Sequence, residues 1–313
     1  MAILRKEYKI PSKSGVADVF ARCWYPAEEK PKAIIQIAHG MAEHGERYED
    51  FANFLCEKGF AVLVDDHIGH GKSIKSDDDL GYFGESMGWD AFVEDERAFT
   101  ELILKENPDT PLVFFGHSMG SFIAREYLRR YGTDERIKAA VICGTSGKNP
   151  ASGIAIPLAG TISKIKGSRH KSKFIDKVAF GTYNGKIENP ETTFDWLSTD
   201  KSEVEKYIED KYCGFLFTAA GYKDLFTILH AVSGKDWYSA LTNDLPLLLI
   251  SGEEDPVGAY GKGVKQVYND LKDAGKKDVT IKLYKGMRHE ILNEVDRKTV
   301  YEDVAAWALS KIK

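Results

Sequence analysis

Cysteine is scarce and scattered. Cys23, Cys56, Cys143 and Cys213 stand far apart in 313 positions and form no C-x-x-C pair. That pattern argues against a disulfide-stapled scaffold and reads as reduced thiols in a cytoplasmic protein. Long apolar runs are missing too. No stretch reaches the length of a membrane span, and "MAILRKEYKIPSKSG" holds nothing long enough for the core of an export signal, so neither anchoring nor secretion is expected. Nor is there an excess of positive charge: the net charge is −5, which gives nucleic acid no attraction and is expected of a soluble chain. Internal repeats and low-complexity tails are absent.

What is present is an ordinary globular composition and a strand–helix alternation. The length suits one large α/β domain, or one domain that carries an insertion. Val16–Tyr25 reads as a strand of an N-terminal hairpin. "AIIQIA" (33–38) and "FAVLVDD" (60–66) are short apolar runs of the kind covered on both faces, and "RYEDFANFLCEKG" between them is an amphipathic helix closed by Gly59. A helix over 89–105, a strand "PLVFF" (111–115), a helix over 119–131 and a strand "AAVIC" (139–143) follow. The alternation resumes with "LPLLLIS" (245–251), a helix over 260–274, "VTIKLY" (279–284) and a helix over 297–312. The expected fold class is therefore α/β: a mostly parallel, doubly wound sheet with helices on both faces. Residues 1–146 and 238–313 form its core. Residues 147–237 lack the alternation, are helix-prone, and are expected to be an inserted cap.

The pattern G-x-S-x-G occurs twice, as Gly84-Glu85-Ser86-Met87-Gly88 and as Gly116-His117-Ser118-Met119-Gly120. A nucleophilic serine of this kind needs a strand running straight into a sharp turn and then a helix, because that geometry lifts the hydroxyl above the sheet. Ser118 has the Leu112–Phe115 strand before it and the apolar face of Phe122, Ile123, Tyr127 and Leu128 after it. Ser86 follows "KSDDDLGYF", a charged loop, and reads as a loop or helix-cap residue, with Asp90 as the other candidate cap.

A serine hydroxyl needs a base, and the base needs an acid that fixes its tautomer. In a doubly wound hydrolase these follow the serine on loops at the carboxyl ends of later strands. His289 in "YKGMRHEIL" is the histidine so placed. The acid is expected after "PLLLIS", where "SGEEDPVG" offers Glu253, Glu254 and Asp255; Pro256 turns the chain just past Asp255, which selects it, with Glu254 as the alternative. An oxyanion hole would take one N–H from Met119 and a second from the loop "AHGMAEHGERY" (38–48), where His39-Gly40 permits a tight turn and Met41 is the second donor.

Two other patterns are set aside. "GHGKS" (69–73) ends like a phosphate loop, but the position of its first glycine is Asp66, whose carboxylate would repel phosphate. His67 and His70 beside Asp65 and Asp66 match no metal-ligand spacing, so no metal and no cofactor are expected. The basic run Lys164, Lys166, Arg169, Lys171, Lys173, Lys177 reads as a solvated face. Ile154, Ile156 and Leu158, at the start of the cap, are placed to roof an acyl tunnel.

Taken in order, "HGMAEHGERY", "DDHIGHGKS", "GHSMG", "SGEEDPVG" and "GMRHEILNE" resemble the α/β-hydrolases of the monoacylglycerol lipase and lysophospholipase type, from about residue 38 to the C-terminus. The resemblance implies Ser118, Asp255 and His289 as a catalytic triad, with the amides of Met41 and Met119 as the oxyanion hole. It implies a serine ester hydrolase acting on lipid-like carboxylic esters; the apolar segment at the start of the cap permits transient contact at a membrane surface. Met41 stands where small residues are frequent, and Ser121 where many relatives have glycine. Three rivals are carried forward. One is a short-chain or aryl esterase with a narrower pocket. Another is an aminopeptidase whose cap carboxylates Glu188, Glu191 or Asp195 grip a free amine. The last is a non-catalytic binding protein on the same scaffold.

Overall fold

A computed structural model describes residues 2–312. Eight strands make one sheet: β1 (Ile3–Pro11), β2 (Asp18–Pro26), β3 (Ala33–Ala38), β4 (Phe60–Asp66), β5 (Leu112–His117), β6 (Ile137–Cys143), β7 (Leu247–Gly252) and β8 (Val279–Tyr284). Their order is β1-β2-β4-β3-β5-β6-β7-β8. Every pairing from β4 to β8 is parallel, while β2 lies antiparallel to both neighbours, so β2 alone runs against the rest. The helices are α1 (Glu49–Glu57), α2 (Gly88–Glu106), α3 (Met119–Tyr131), α4 (Ser152–Lys166), α5 (Lys173–Phe180), α6 (Lys201–Glu209), α7 (Ala219–Ala231), α8 (Asp236–Ser239), α9 (Lys262–Asp273) and α10 (Arg297–Lys311). This is the doubly wound α/β class expected from the alternation.

The unbroken apolar strands are explained by what covers them. Side chains alternate across a strand, and here both faces are buried. Val113 and Phe115 of β5 pack with Phe51 and Leu55 of α1 and Val304 of α10. Leu112 and Phe114 point the other way, into a cluster with Phe99 of α2, Tyr127 of α3 and Val267 of α9. One polar side chain interrupts β3. Gln36 donates to the Glu96 carbonyl at 2.8 Å and to Glu96 Oε2 at 2.5 Å, and accepts from Thr100 Oγ1 at 2.8 Å, so α2 satisfies the amide that the sheet cannot.

The turn after β4 explains why "GHGKS" is not a phosphate loop. Asp66 is fully buried and accepts from Arg22 at 2.6 and 3.1 Å, from the Gly45 N–H at 2.8 Å and from the Lys72 N–H at 2.8 Å. The carboxylate where a phosphate loop needs glycine is the post around which residues 67–73 wind. Burial alone would raise its pKa, but Arg22 and the two amides outweigh burial and hold it below the usual carboxylate range.

Between β6 and β7 the chain makes only helices α4–α8. They are not a detached lobe. Phe217, Tyr222, Leu225 and Leu229, in and just before α7, belong to the main core cluster, and Trp237 of α8 stacks on Arg125 of α3 at 4.6 Å. Arg125 reaches both ends of this segment, donating to the Ser146 carbonyl at 3.0 Å and to the Val232 carbonyl.

Arg22→Leu leaves the Asp66 carboxylate buried without its cation, and its urea-unfolding free energy falls by roughly 3–5 kcal/mol. Because the folded pKa of Asp66 is depressed, the pair's contribution is complete above the unfolded carboxylate value of about 4 and is lost as pH falls through the lower folded value. A loss below about 1 kcal/mol at neutral pH would mean that the amides alone hold Asp66.

Candidate active site

Ser118 stands where β5 ends and α3 begins, with φ 53° and ψ −118°, a conformation that a non-glycine residue adopts only when its surroundings impose it. Two neighbours make the turn possible by lacking side chains. A Cβ on Gly120 would fall inside the carbonyl oxygen of Ala38 and lie 2.6 Å from that of His39; one on Gly116 would collide with the Gly120 carbonyl and lie 2.7 Å from Ala124 Cβ. The Ser118 N–H donates to the Cys143 carbonyl at 3.0 Å, and Ser121 closes the turn from below, its N–H donating to the Ser118 carbonyl at 2.8 Å and its hydroxyl at 2.5 Å. The half-buried Ser118 hydroxyl makes no hydrogen bond among the described residues. Ser86, by contrast, is exposed in a loop with no strand before it. It does not cap α2 either, and nor does Asp90. Met87 holds the N-cap position in a left-handed conformation without a side-chain bond, and Asp90 pairs with Arg130 at 2.7 Å.

Asp255 and His289 are brought together by the loops after β7 and β8. Asp255 Oδ1 lies 2.9 Å from His289 Nδ1. The Val257 N–H also donates to Oδ1 at 2.8 Å, and Ser251 Oγ donates to Oδ2 at 2.9 Å. Burial would push the Asp255 carboxyl up, but the adjoining His289 ring and these hydrogen bonds prevail and hold it below its ordinary range. Since Asp255 is an acceptor, the neutral His289 ring carries its proton on Nδ1 and leaves Nε2 bare. Glu253 and Glu254 are exposed. The His289 ring is boxed by Trp196 at 5.1 Å and His117 at 4.8 Å between centroids, and its loop is tied to the inserted segment by Glu290 N–H to Leu197 carbonyl at 2.7 Å.

The loop after β3 lies against Ser118: a Cβ on Gly40 would stand 3.2 Å from Ser118 Cβ. Both ends of Gly40 are held. Its N–H donates to Glu43 Oε1 at 2.5 Å, and its carbonyl accepts from His39 Nδ1 at 2.8 Å. The Gly40 carbonyl and the Met41 N–H share one peptide plane and point oppositely, so fixing the first orients the second. The N–H groups of Met41 and Met119 donate to no other protein group among the described residues. Ala42, at φ 51°, is braced from the inserted segment by Tyr207 Oη and the Gly214 N–H, each 3.0 Å from its carbonyl.

Several groups were not singled out in the sequence. Buried Glu43, His117 and Glu290, with the partly buried Arg47, form a charged cluster joining the loop after β3 to the His289 loop, and Trp196 and Tyr207 brace both from above. The only signal for Glu43 was a carboxylate three residues beyond the glycine of a tight turn. His67 and His70 lie under the same loop. His67 donates its N–H to His39 Nε2 at 3.0 Å, and burial keeps His39 and His70 neutral. Asp65, His67 and Glu96 are close enough to share one ion, as are His44, Asp210 and Cys213. In the first set His67 already pairs with Asp65 at 3.0 Å, and in the second His44 bonds Asp210 at 2.8 Å.

The cap candidates divide. Ile154 and Leu158 stand on the outer face of α4, 75% and 38% exposed, while Ile156 packs against the core cluster. Glu188, Glu191 and Asp195 line a cavity of about 190 Å³ with Arg288 and Lys201, and neither Ser118 nor His289 lines it. Asp195 is moreover occupied by the N–H groups of Glu191 at 2.6 Å and Thr192 at 3.1 Å.

Comparison with known proteins gives the family and the fold. Residues 29–296 match the family described as "Serine aminopeptidase, S33". The chain is similar to a monoacylglycerol lipase of Mycolicibacterium smegmatis, 30% identical over 98% of both chains, and to the monoglyceride lipase of Homo sapiens, 29% identical over 92% of this chain and 86% of the other. Among solved structures it is similar to a carboxyl esterase from Bacillus coagulans in complex with glycerol, 32% identical over the whole of both chains, with a TM-score of 0.92.

Gly120→Ala forces α3 away from β3 and lowers stability by more than about 3 kcal/mol in urea unfolding. Gly185→Ala, with nothing within 4 Å, stays within about 0.5 kcal/mol of the parent. A Gly120→Ala protein that melts like the parent would contradict the close approach of the two elements.

Proposed function

The chain belongs to the serine aminopeptidase S33 family, among the α/β-hydrolases of the monoacylglycerol lipase and lysophospholipase type, and is a carboxylic ester hydrolase; from that premise we propose that it cleaves monoacylglycerols or lysophospholipids through Ser118, Asp255 and His289. The observation that carries the reading is the pairing of His289 Nδ1 with buried Asp255 at 2.9 Å, beside a Ser118 hydroxyl that makes no hydrogen bond among the described residues. His289 Nε2 takes the Ser118 proton as Oγ attacks the acyl carbon. The carbonyl oxygen becomes an oxyanion held by the Met41 and Met119 N–H groups, and Asp255 stabilises the imidazolium. Collapse of the intermediate passes the proton to the leaving alcohol. Water, activated by the same histidine, then releases the acid from the acyl-enzyme. No cofactor enters this chemistry.

Residues 147–237 act as the cap that selects the substrate, with Ile156 on the acyl side of α4. Ile154, Leu158 and Ile165 of α4 and Phe174 and Val178 of α5 are exposed beside Lys164, Lys166, Lys173 and Lys177. That composition suits transient contact with the lipid surface from which the substrate is drawn. A short-chain carboxylesterase is the second reading, favoured by the likeness to the carboxyl esterase. The peptidase reading is weakened, because the three cap carboxylates line a cavity apart from Ser118.

A fluorophosphonate labels the peptide carrying Ser118, Ser118→Ala abolishes both labelling and hydrolysis, and Asp255→Asn lowers kcat by roughly 10³–10⁴-fold. Labelling at Ser86 would overturn the assignment. Across an ester series from acetyl to palmitoyl, kcat/KM peaks at medium or long chains on glycerol esters; a steep fall beyond butyryl would select the short-chain esterase.

Ile165→Glu combined with Phe174→Glu slows hydrolysis of vesicle-borne substrate several-fold and leaves a dissolved short ester unaffected. Equal rates on vesicles would rule out the surface contact.

A further inference from the structure

His117 lies between the two halves of the site, and neither half of the proposed chemistry uses it. It is the last residue of β5, 4% exposed, and its ring packs on that of His289. Nδ1 lies 3.4 Å from Glu43 Oε1, and Nε2 lies 3.3 Å from the main-chain oxygen of His289. Both neighbours are acceptors. A neutral imidazole has a single N–H and would turn one bare nitrogen toward an oxygen lone pair; only the imidazolium satisfies both.

The surrounding charges ask for the same state. Partly buried Arg47 holds buried Glu290 by two bonds of 2.6 Å and buried Glu43 by one of 2.8 Å. Two carboxylates and one guanidinium leave one negative charge uncompensated, and a positive His117 cancels it. Tyr207 stacks on Arg47 at 4.9 Å, Cys213 and His39 also face the cluster, and burial keeps the thiol protonated and His39 neutral. Tyr48 Oη donates to Glu43 Oε1 at 2.9 Å, Asn293 donates to Glu290 at 3.1 Å, Tyr301 Oη donates to the Leu292 carbonyl at 2.8 Å, and His289 faces Asp255. Burial by itself would push the His117 pKa down, but Glu43 and then Glu290 and the His289 carbonyl outweigh it, and the net direction is up.

We propose that His117 is a positioning residue held as an imidazolium, whose two N–H groups tie Glu43, and through it the Gly40 amide of the oxyanion loop, to the main chain of His289. This rests on the reading of Ser118, Asp255 and His289 given above. When His117 loses its proton, one of the two ties is lost and the cluster keeps a net negative charge. The oxyanion loop and the base then lose their common anchor. Because the folded pKa is raised, the tie is complete below the ordinary histidine value of about 6.5 and is lost as pH rises through the folded value.

Histidine-selective ¹⁵N NMR of the intact protein near pH 7.5 reads the state directly, with His117→Asn identifying the signal. Two protonated nitrogens are expected for His117; a neutral tautomer overturns the proposal whatever the enzyme hydrolyses. In kinetics on a soluble ester, kcat falls at least about tenfold across a one-proton alkaline inflection, with KM little changed. His117→Asn works at a lower rate without that inflection, and Glu43→Gln shifts it to lower pH. An unaltered inflection in His117→Asn, or one unmoved by Glu43→Gln, also overturns it. Fluorophosphonate labelling separates the two layers of argument: failure of Ser118 to label counts against the triad, while normal labelling with an unaltered inflection counts against His117 alone.

Discussion

The site depends on how closely α3 can approach β3. At Gly120 the helix backbone rests on the Ala38 and His39 carbonyls with no room for a methyl group, and at Gly116 the strand leaves space for the returning helix. Ordinary helix-on-sheet packing is set by side chains and keeps backbones about 10 Å apart. Removing the side chains lets the first turn of α3 touch the end of β3. Two consequences follow from that one contact. Ser118 is forced into a positive-φ turn that lifts its hydroxyl off the sheet. The loop after β3, which carries the Gly40–Met41 peptide, comes to lie directly over it. Serine and oxyanion loop are thus placed by a single backbone contact rather than by separate devices.

The buried charges around this contact come in sets that each approach neutrality. Asp66 has Arg22, with two amides completing its lone pairs. Asp65 and Glu96 face only His67, whose pKa burial lowers, and burial raises both carboxyls, so every shift in this set is toward the uncharged form. Glu43 and Glu290 have Arg47 and His117. Removing ions from water costs several kcal/mol each, a cost that apolar packing would avoid. What two of these carboxylates supply is direction: Glu43 holds the Gly40 N–H, and Asp66 those of Gly45 and Lys72, in one orientation. An apolar core holds elements together without fixing the rotation of a peptide plane.

Much of this was legible in the sequence, for a physical reason. Strands buried on both faces are nearly unbroken apolar runs, so β3, β4, β5 and β8 could be placed within a residue or two, and α3 to the residue. The elbow at Ser118 was legible because its glycines answer to a local steric need. What was not legible was decided across long separations. Arg47 and Glu290 are 243 positions apart, and Glu43 and His117 are 74 apart; nothing near any of them records the partner. The outward face of α4 was hidden as well. Ile154-Ala155-Ile156-Pro157-Leu158-Ala159 is apolar at nearly every position, so no periodicity says which residues turn inward. Only packing on α7 sends Ile156 to the core and Ile154 to the outside.

The inserted helices do more than cover the sheet. Trp196 lies against the His289 ring, Leu197 accepts from the Glu290 N–H, and Tyr207 and Gly214 hold the Ala42 carbonyl beside the Gly40–Met41 peptide. The His289 loop and the Gly40–Met41 loop are therefore each braced from above by the same segment, the one proposed to select the substrate. A lid that only gated entry would touch the rim of the site. This one is bonded to the backbone on both sides of the serine, while Arg125 of α3 grips both of its ends. Any displacement of the segment that admits a bulky acyl chain must strain or break bonds that hold the reacting geometry. In the proposed mechanism substrate fit and transition-state geometry are thereby coupled through the same few backbone atoms, and an acyl chain that seats the segment well would improve the alignment of the groups proposed to act on its ester.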